Sequence, residues 1–414
     1  MWKKPWGYKE GVAIGAGLVC IGILLQGTTG YIQWNNIATP INKVIGVAYL
    51  LSLCGMHLLR KRVYLFRWLS GLSSSITALG WVAVLTLFMA MTRQEPPGTK
   101  PIDTWGLSQF ISAWYFVLSY WWLTTALGLA LLNGLFPFKW RRIPFVLNHL
   151  GLLIVMICAT LGSADMLRLR MMTRTGQAEW RATDEKGLLY ELPLAIELKH
   201  FTIDEYPPKL MLIDNETGHT LPEKQPVHLL IEKKGNVGKL MDWEIEIIED
   251  IPQAGAFFTE DSVRYTRFDS MGATHALYVK ARNLRTKAMA EGWVSCGSFA
   301  FPHKAQKLDE QVSLVMPAKE PRRFASFVEY YTENGLRDTA TIEVNKPLEI
   351  EGWKVYQLSY DEEKGKWSDV STFELVNDPW LPLVYTGIGL MLTGALGMFI
   401  FSQQHRKEKA NGME

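Results

Sequence analysis

Pro144-Phe-Val-Leu-Asn-His149-Leu-Gly-Leu-Leu-Ile-Val-Met156 lies in a run, residues 143–163, without one charged side chain. A helix needs about 20 mainly apolar residues to cross the hydrocarbon core of a bilayer, so this run reads as a membrane span. Directly after it the composition changes, with Asp165, Arg168 and Arg170 opening a polar stretch that lasts to about residue 380. Working outward, five further runs have the length and apolarity of a span: about 9–27, 43–59, 66–91, 109–133 and 381–402. The mean hydropathy of +0.02 is therefore an average of two unlike populations. The expected architecture is an α-helical bundle of about six transmembrane helices plus a large β-rich extracytoplasmic domain. Residues 1–163 form a membrane region with five helices, 164–380 the outer domain, and 381–414 a last helix with a short basic tail.

Orientation follows from the short basic loops. Lys3, Lys4 and Lys9, then Arg60-Lys-Arg62 with Arg67, then Lys139-Trp-Arg-Arg142, and finally Arg406, Lys407 and Lys409 all fall on one side of a six-span chain. Lys and Arg mark the cytoplasmic side, which predicts both termini inside and residues 28–42, 92–108 and 164–380 outside, periplasmic in a bacterium. Met1-Trp-Lys-Lys-Pro-Trp6 resembles the start of a signal peptide, but no A-x-A-like site follows, so the first helix is expected to be retained.

The outer stretch reads as strands. Segments 192–200, 227–232, 243–248, 275–280, 324–331 and 353–358 alternate apolar and polar residues, with turn signals such as Asp214-Asn-Glu-Thr-Gly218 and Glu333-Asn-Gly335 between them. An antiparallel sandwich or open barrel is expected.

Composition excludes several functions. With 43 Lys+Arg against 41 Asp+Glu the net charge is +2, without the basic excess of a nucleic-acid-binding protein. Cys20, Cys54 and Cys158 sit in apolar runs and Cys296 stands alone in the polar part, so no disulfide framework is expected there. There is no C-x-x-C or C-x-x-C-H, which argues against a zinc site and against covalently attached haem. Nor is there a G-x-S-x-G, H-E-x-x-H, Walker or dinucleotide motif, and this disfavours the common hydrolases, kinases and dehydrogenases.

His149 is the most informative residue, because an ionisable side chain inside a span is costly and marks function. A neutral imidazole there can ligate haem iron, relay a proton, or hydrogen-bond a neighbouring helix. His57 lies at the cytoplasmic end of its span, roughly level with His149, and can join a bis-histidine site or snorkel into the headgroups beside Arg60. His200, His219, His228, His275 and His303 show no metal-like spacing and are expected mostly at the surface. Tryptophans crowd the span ends, including Trp34, Trp68, Trp114, Trp121, Trp122, Trp140 and Trp380, as an interfacial belt predicts.

Two passages resemble a known family. The first is Asn148-His-Leu-Gly-Leu152 through Gly162-Ser-Ala-Asp165 to Thr173-Arg-Thr-Gly-Gln177, followed by Leu192-Pro-Leu194 and Phe201-Thr-Ile-Asp-Glu-Tyr-Pro-Pro208. The second is Arg323-Phe-Ala-Ser326, Ile342-Glu-Val-Asn-Lys-Pro-Leu348, Gly352-Trp-Lys-Val-Tyr-Gln-Leu-Ser-Tyr-Asp361 and Asp378-Pro-Trp-Leu-Pro-Leu-Val-Tyr-Thr-Gly387. Together they resemble the ResB (CcsB) component of System II cytochrome c biogenesis. The resemblance implies a subunit that, with a CcsA/ResC-type membrane partner, moves haem b outward and presents it to apocytochrome c for thioether attachment. It implies transient, non-covalent haem, His149 as an axial ligand of its iron, and no synthase activity in this chain alone; His57, which the resemblance does not cover, stays a further cofactor-binding candidate from its depth alone. No tryptophan-rich W-G-x-x-W-x-W-D-like segment occurs here, so that part of the haem path belongs to the partner. The competing readings are a membrane-anchored receptor or scaffold with a ligand-binding outer β-domain, and a non-haem transporter, disfavoured because carboxylates are absent from the spans apart from Glu10.

Overall fold

The computed structural model describes residues 2–95, 102–231, 237–259 and 263–411, with side chains described to residue 400. The chain divides into two units, Met1–Leu167 with Asn377–Glu414, and Arg168–Val376.

The first unit is helical: α1 (Tyr8–Thr29), α2 (Ile41–Leu59), α3 (Tyr64–Leu69), α4 (Leu72–Ala90), α5 (Trp114–Leu135), α6 (Ile143–Gly162) and α7 (Leu381–Asn411). Among the described residues six helices, all but α3, are long and apolar enough to cross a membrane, and this is a membrane protein. The run expected at 66–91 is broken: Gly71 donates its N–H to the Trp68 carbonyl at 2.9 Å, ending α3 and starting α4 in a new direction. Residues 110–112 form a separate 3-10 turn, so the fourth span starts only at Trp114. Pro96, Pro97 and Gly98 of the expected connector 92–108 lie outside the described residues.

Lipid gives helices no hydrophobic reason to associate, so close backbone approach through small residues carries the packing. A Cβ at Gly22 would strike the Tyr115 backbone, and one at Gly128 would strike Leu53. These contacts set α1 and α2 against α5, the most enclosed span. The α6–α7 pair is held in the same way at two levels, since a Cβ at Gly394 would come within 2.8 Å of Asn148 Cα and one at Gly151 within 3.0 Å of Met391 Cα.

One carboxylate then ties three helix ends. Asp165, just past α6, accepts hydrogen bonds from Thr39 N (2.7 Å), Thr39 Oγ1 (2.6 Å), Asn42 Nδ2 (2.8 Å) and Trp380 Nε1 (2.6 Å). Asn42 is fully buried and also donates to the Leu161 carbonyl at 3.0 Å. Burial alone would raise the Asp165 carboxyl, but the Thr39, Asn42 and Trp380 donors outweigh it and hold it far below the usual range.

The second unit is all β among its described residues apart from one short 3-10 turn. Strands β1 (Leu167–Arg174), β2 (Ala178–Thr183) and β3 (Leu189–Glu205) begin a sheet, and the chain then leaves it. It builds β4 (Lys209–Asp214), β5 (Thr220–Leu221), β6 (His228–Leu230), β7 (Val237–Leu240) and β8 (Trp243–Phe258). Next come β9 (Val263–Arg267), β10 (Thr274–Asn283), β11 (Met289–Ser295), β12 (Gln306–Lys307) and β13 (Val312–Val315). The chain returns with β14 (Pro321–Thr332), β15 (Arg337–Glu343), β16 (Leu348–Ile350), β17 (Trp353–Tyr360) and β18 (Val370–Asn377). The host sheet has the order β15-β14-β3-β2-β1-β18-β17-β16, while the inserted strands form two sheets, β11-β10-β8-β7 with β9, and β12-β13-β4-β5 with β6.

The two inserted sheets pack Leu210, Leu212 and Leu314 against Ile245, Ile247, Leu277 and Val279, giving the expected sandwich. The host sheet curls so that β14 meets β17 and β18. Ser326 on β14 donates to Gln357 Oε1 at 2.5 Å and lies 2.8 Å from Ser371 Oγ, and both serines are fully buried. Alternation of buried Leu194, Ile196 and Leu198 along β3 fills the interior that this closure creates.

Asp165→Ala removes the acceptor shared by Thr39, Asn42 and Trp380; Thr39 is exposed and can turn to water, but the buried Asn42 amide loses one of its two partners, and an unsatisfied buried donor costs about 1–3 kcal/mol. The variant is expected to lower the thermal midpoint of the purified full-length protein by several degrees. Because the folded carboxyl is depressed, the wild-type contribution is complete above the unfolded value near 4 and is lost only as pH falls through the lower folded value. The gap between wild type and variant should therefore be constant from pH 5 to 8.

Candidate functional site

His149 follows from where α6 begins. Pro144, near the first position of the helix, costs little there because its missing N–H would have no intrahelical partner. Exposed Lys139, Arg141 and Arg142 precede it. His149 stands six residues into α6, about 9 Å along the axis. Its rotation is fixed by neighbours: Asn148 Nδ2 donates to the Met391 carbonyl on α7 at 2.9 Å, and Phe145 packs at Gly134 of α5.

The ring is half-buried and lies over Phe145, centroids 3.7 Å apart, with Nδ1 3.0 Å from the Phe145 carbonyl oxygen. A carbonyl only accepts, so this contact assigns the proton to Nδ1 and leaves the lone pair on Nε2. Among the described residues Nε2 has no hydrogen-bond partner.

His57 is buried at 8% exposure near the end of α2, with its ring 6.1 Å from that of Phe136 and its Nδ1 unpartnered. Its ring is packed among the helices of this unit. The bond between Asn42 and Leu161 fixes the relative height of α2 and α6. Counting from it, His57 is about 22 Å along α2 and His149 about 18 Å back along α6, an offset of roughly 4 Å. The two imidazoles share no hydrogen bond or ring contact among the described residues.

The belt accounts for Trp140 and Trp121, which are exposed, but not for Trp68 and Trp122. Those two are buried and stacked with centroids 5.9 Å apart, and Trp122 Nε1 donates to Ser74 Oγ at 3.0 Å. They are core of the bundle.

In the β unit, His219 and His228 are exposed, whereas His275 is buried and lies with Nε2 2.7 Å from Asp250 Oδ1. Burial pushes the His275 imidazole below its ordinary value, the nearby Lys319 ammonium adds to this, and Asp250 opposes both. Among the described residues no cluster of three or more His, Cys, Asp or Glu is arranged to hold a metal ion.

The motif residues have structural partners. Asp165 of Gly162-Ser-Ala-Asp165 bonds Trp380 of Asp378-Pro-Trp380, and Ser326 of Arg323-Phe-Ala-Ser326 bonds Gln357 of the Gly352-Trp motif. Residues 293–370 match the ResB-like family. The ResB-like segment runs from within β11 to the first residue of β18, so it holds Ser326 and Gln357 but neither His149 nor any span. The match spans 78 of the 414 residues. No curated protein matches the chain.

Two outcomes follow from this geometry. Gly394→Val, which drives a side chain into the Asn148 backbone, is expected to destabilise the α6–α7 pair by about 1–3 kcal/mol or more, read as a lower thermal midpoint. Gly389→Val on the same helix, where a Cβ meets nothing within 4 Å, should leave it unchanged. The depressed His275 value means the unfolded chain binds the extra proton first. Stability of the β unit should then be full above about pH 6.5 and decline as pH falls below it; His275→Gln should flatten that slope in hydrogen-exchange measurements on β8 and β10.

Proposed function

We propose that this chain is the ResB-like subunit of a System II cytochrome c synthase in a bacterial inner membrane, with both termini cytoplasmic and the β-rich unit periplasmic. It handles haem b with a CcsA/ResC-type partner and helps deliver it to apocytochrome c. The observation that carries this reading is the ResB-like segment in a chain whose preceding span holds His149 with Nε2 unpartnered.

His149 fits haem iron. Metal-ligating histidines commonly donate their other ring N–H to a carbonyl, which fixes tautomer and orientation, and Phe145 supplies that carbonyl at 3.0 Å. Bound haem supplies the iron and the vinyl groups that form thioethers. Around it, Asn148 holds the helix rotation, Phe145 holds the imidazole plane, and Arg141 and Arg142 offer charge complementary to propionates. His57, about 4 Å nearer the basic end, is a candidate to hold haem at an earlier stage of its passage. The β unit offers strand edges to which an extended apocytochrome segment can add.

The test is the visible spectrum of the protein purified with its membrane partner. Wild type should show a Soret band and a reduced α-band, and His149→Ala should lose most of both at equal protein load. Unchanged bands would remove His149 as a ligand, and colourless wild type would favour the receptor or scaffold reading.

A further inference from the structure

At the end of the helical unit that carries the basic loops, three guanidiniums gather round the last turn of α5. Arg60, just past α2, donates from Nη1 to the His57 carbonyl at 2.9 Å, and the His57 ring lies beside that of Phe136 at the end of α5. Arg67 on α3 donates from Nη2 to the Lys61 carbonyl at 2.9 Å. Its own carbonyl accepts from Ser70 Oγ at 2.9 Å, the Ser70 carbonyl accepts from Asn133 Nδ2 at 3.4 Å, and the Asn133 carbonyl accepts from Arg142 Nη1 at 3.3 Å. A chain of bonds thus runs from the α2–α3 loop across the end of α5 to the start of α6.

Each guanidinium uses an N–H on a carbonyl, which orients the fork, and keeps its other donors for a ligand. Arg67 and Arg142 are exposed and Arg60 is half-buried. No carboxylate answers them among the described residues. Glu95, Asp103, Asp165 and Asp378 follow or precede their helices at the opposite end of the unit, and Glu10 accepts from the Gly7 N–H at 2.9 Å at the start of α1.

This chemistry selects a ligand. Oriented arginines match phosphate oxygens, and basic sites between membrane helices take lipid headgroups. Leu58, Phe136 and Phe138 are exposed on the same segments and supply apolar surface for acyl chains. A headgroup ammonium or choline would sit beside three positive charges with no carboxylate to receive it, which disfavours zwitterionic lipids.

We infer that this corner of the helical unit binds an anionic phospholipid without a headgroup amine, of the phosphatidylglycerol or cardiolipin kind, with its phosphate on Arg67 and Arg142. The inference concerns haem-free protein and is tested apart from the haem reading, which also uses Arg142.

The experiment is native mass spectrometry of delipidated, haem-free full-length protein in detergent, titrated with dioleoyl phosphatidylglycerol and with dioleoyl phosphatidylethanolamine. Expected is saturable binding of phosphatidylglycerol with a half-saturation concentration at least fivefold below that of phosphatidylethanolamine. Arg67→Gln combined with Arg142→Gln should raise the phosphatidylglycerol value at least fivefold. Lys3→Gln combined with Lys9→Gln removes the same charge from exposed positions near the start of α1 and should raise it less than twofold. Glycerol 3-phosphate, which has the phosphate and no chains, should not displace the lipid at equal concentration. The inference is overturned by equal or tighter phosphatidylethanolamine binding, by phosphatidylglycerol binding indifferent to the arginine pair, by an equal loss in the lysine pair, or by displacement with glycerol 3-phosphate, which would make the ligand a free phosphate ester.

Discussion

The Asp165 carboxylate is the constraint on which the helical unit depends. Sitting just past α6, it gathers donors from the start of α2 and the start of α7, so that three places far apart in sequence meet at one carboxylate. Without it, the fully buried Asn42 amide would keep only its bond to the Leu161 carbonyl and the half-buried Trp380 indole would lose its partner, and unsatisfied groups away from water are costly. With α6 and α7 joined there and held by glycines along their length, the rotation of α6 is set. That rotation aims His149 away from α7, because Asn148 and Gly151 occupy the α7 side.

A second buried polar chain does the same work in the β unit. Ser326, Ser371 and Gln357 bond across the curled host sheet, and Thr173 Oγ1 adds a bond to the Ser371 carbonyl at 3.0 Å. Buried hydroxyls of this kind are stabilising only when every member is satisfied, so they specify one register among several that hydrophobic alternation alone would permit. The segment matching the ResB-like family contains Ser326 and Gln357, while their partners Ser371 and Thr173 lie outside it.

Much of this was legible in the chain. The six spans read directly from long apolar runs with few charges, and six strand segments from alternation. Gly71 was hidden because one glycine does not interrupt a hydropathy average, although it ends a helix through a single backbone bond. Trp68 and Trp122 were read as belt because a tryptophan near a span end looks the same whether it faces lipid or the bundle. The burial of His275 had no signal of its own: its partner Asp250 is 25 residues away and meets it only through the β8–β10 pairing. The Asp165 motif was visible as a pattern, but its partner Trp380 lies 215 residues later. Such pairings depend on chain topology, which local periodicity does not encode.

The inserted sandwich leaves the host sheet at the end of β3 and rejoins it at the start of β14, and Glu205 and Pro321 are direct cross-strand neighbours. Its two ends are therefore only about 5 Å apart. A segment entering and leaving through one such doorway can be lengthened, shortened or exchanged in evolution while the host keeps its hydrogen-bond ladder, since the two flanking strands need only a turn to join them. The host is thus a fixed frame that can carry different attachments, and the sandwich is the part of this molecule free to diverge with whatever it faces.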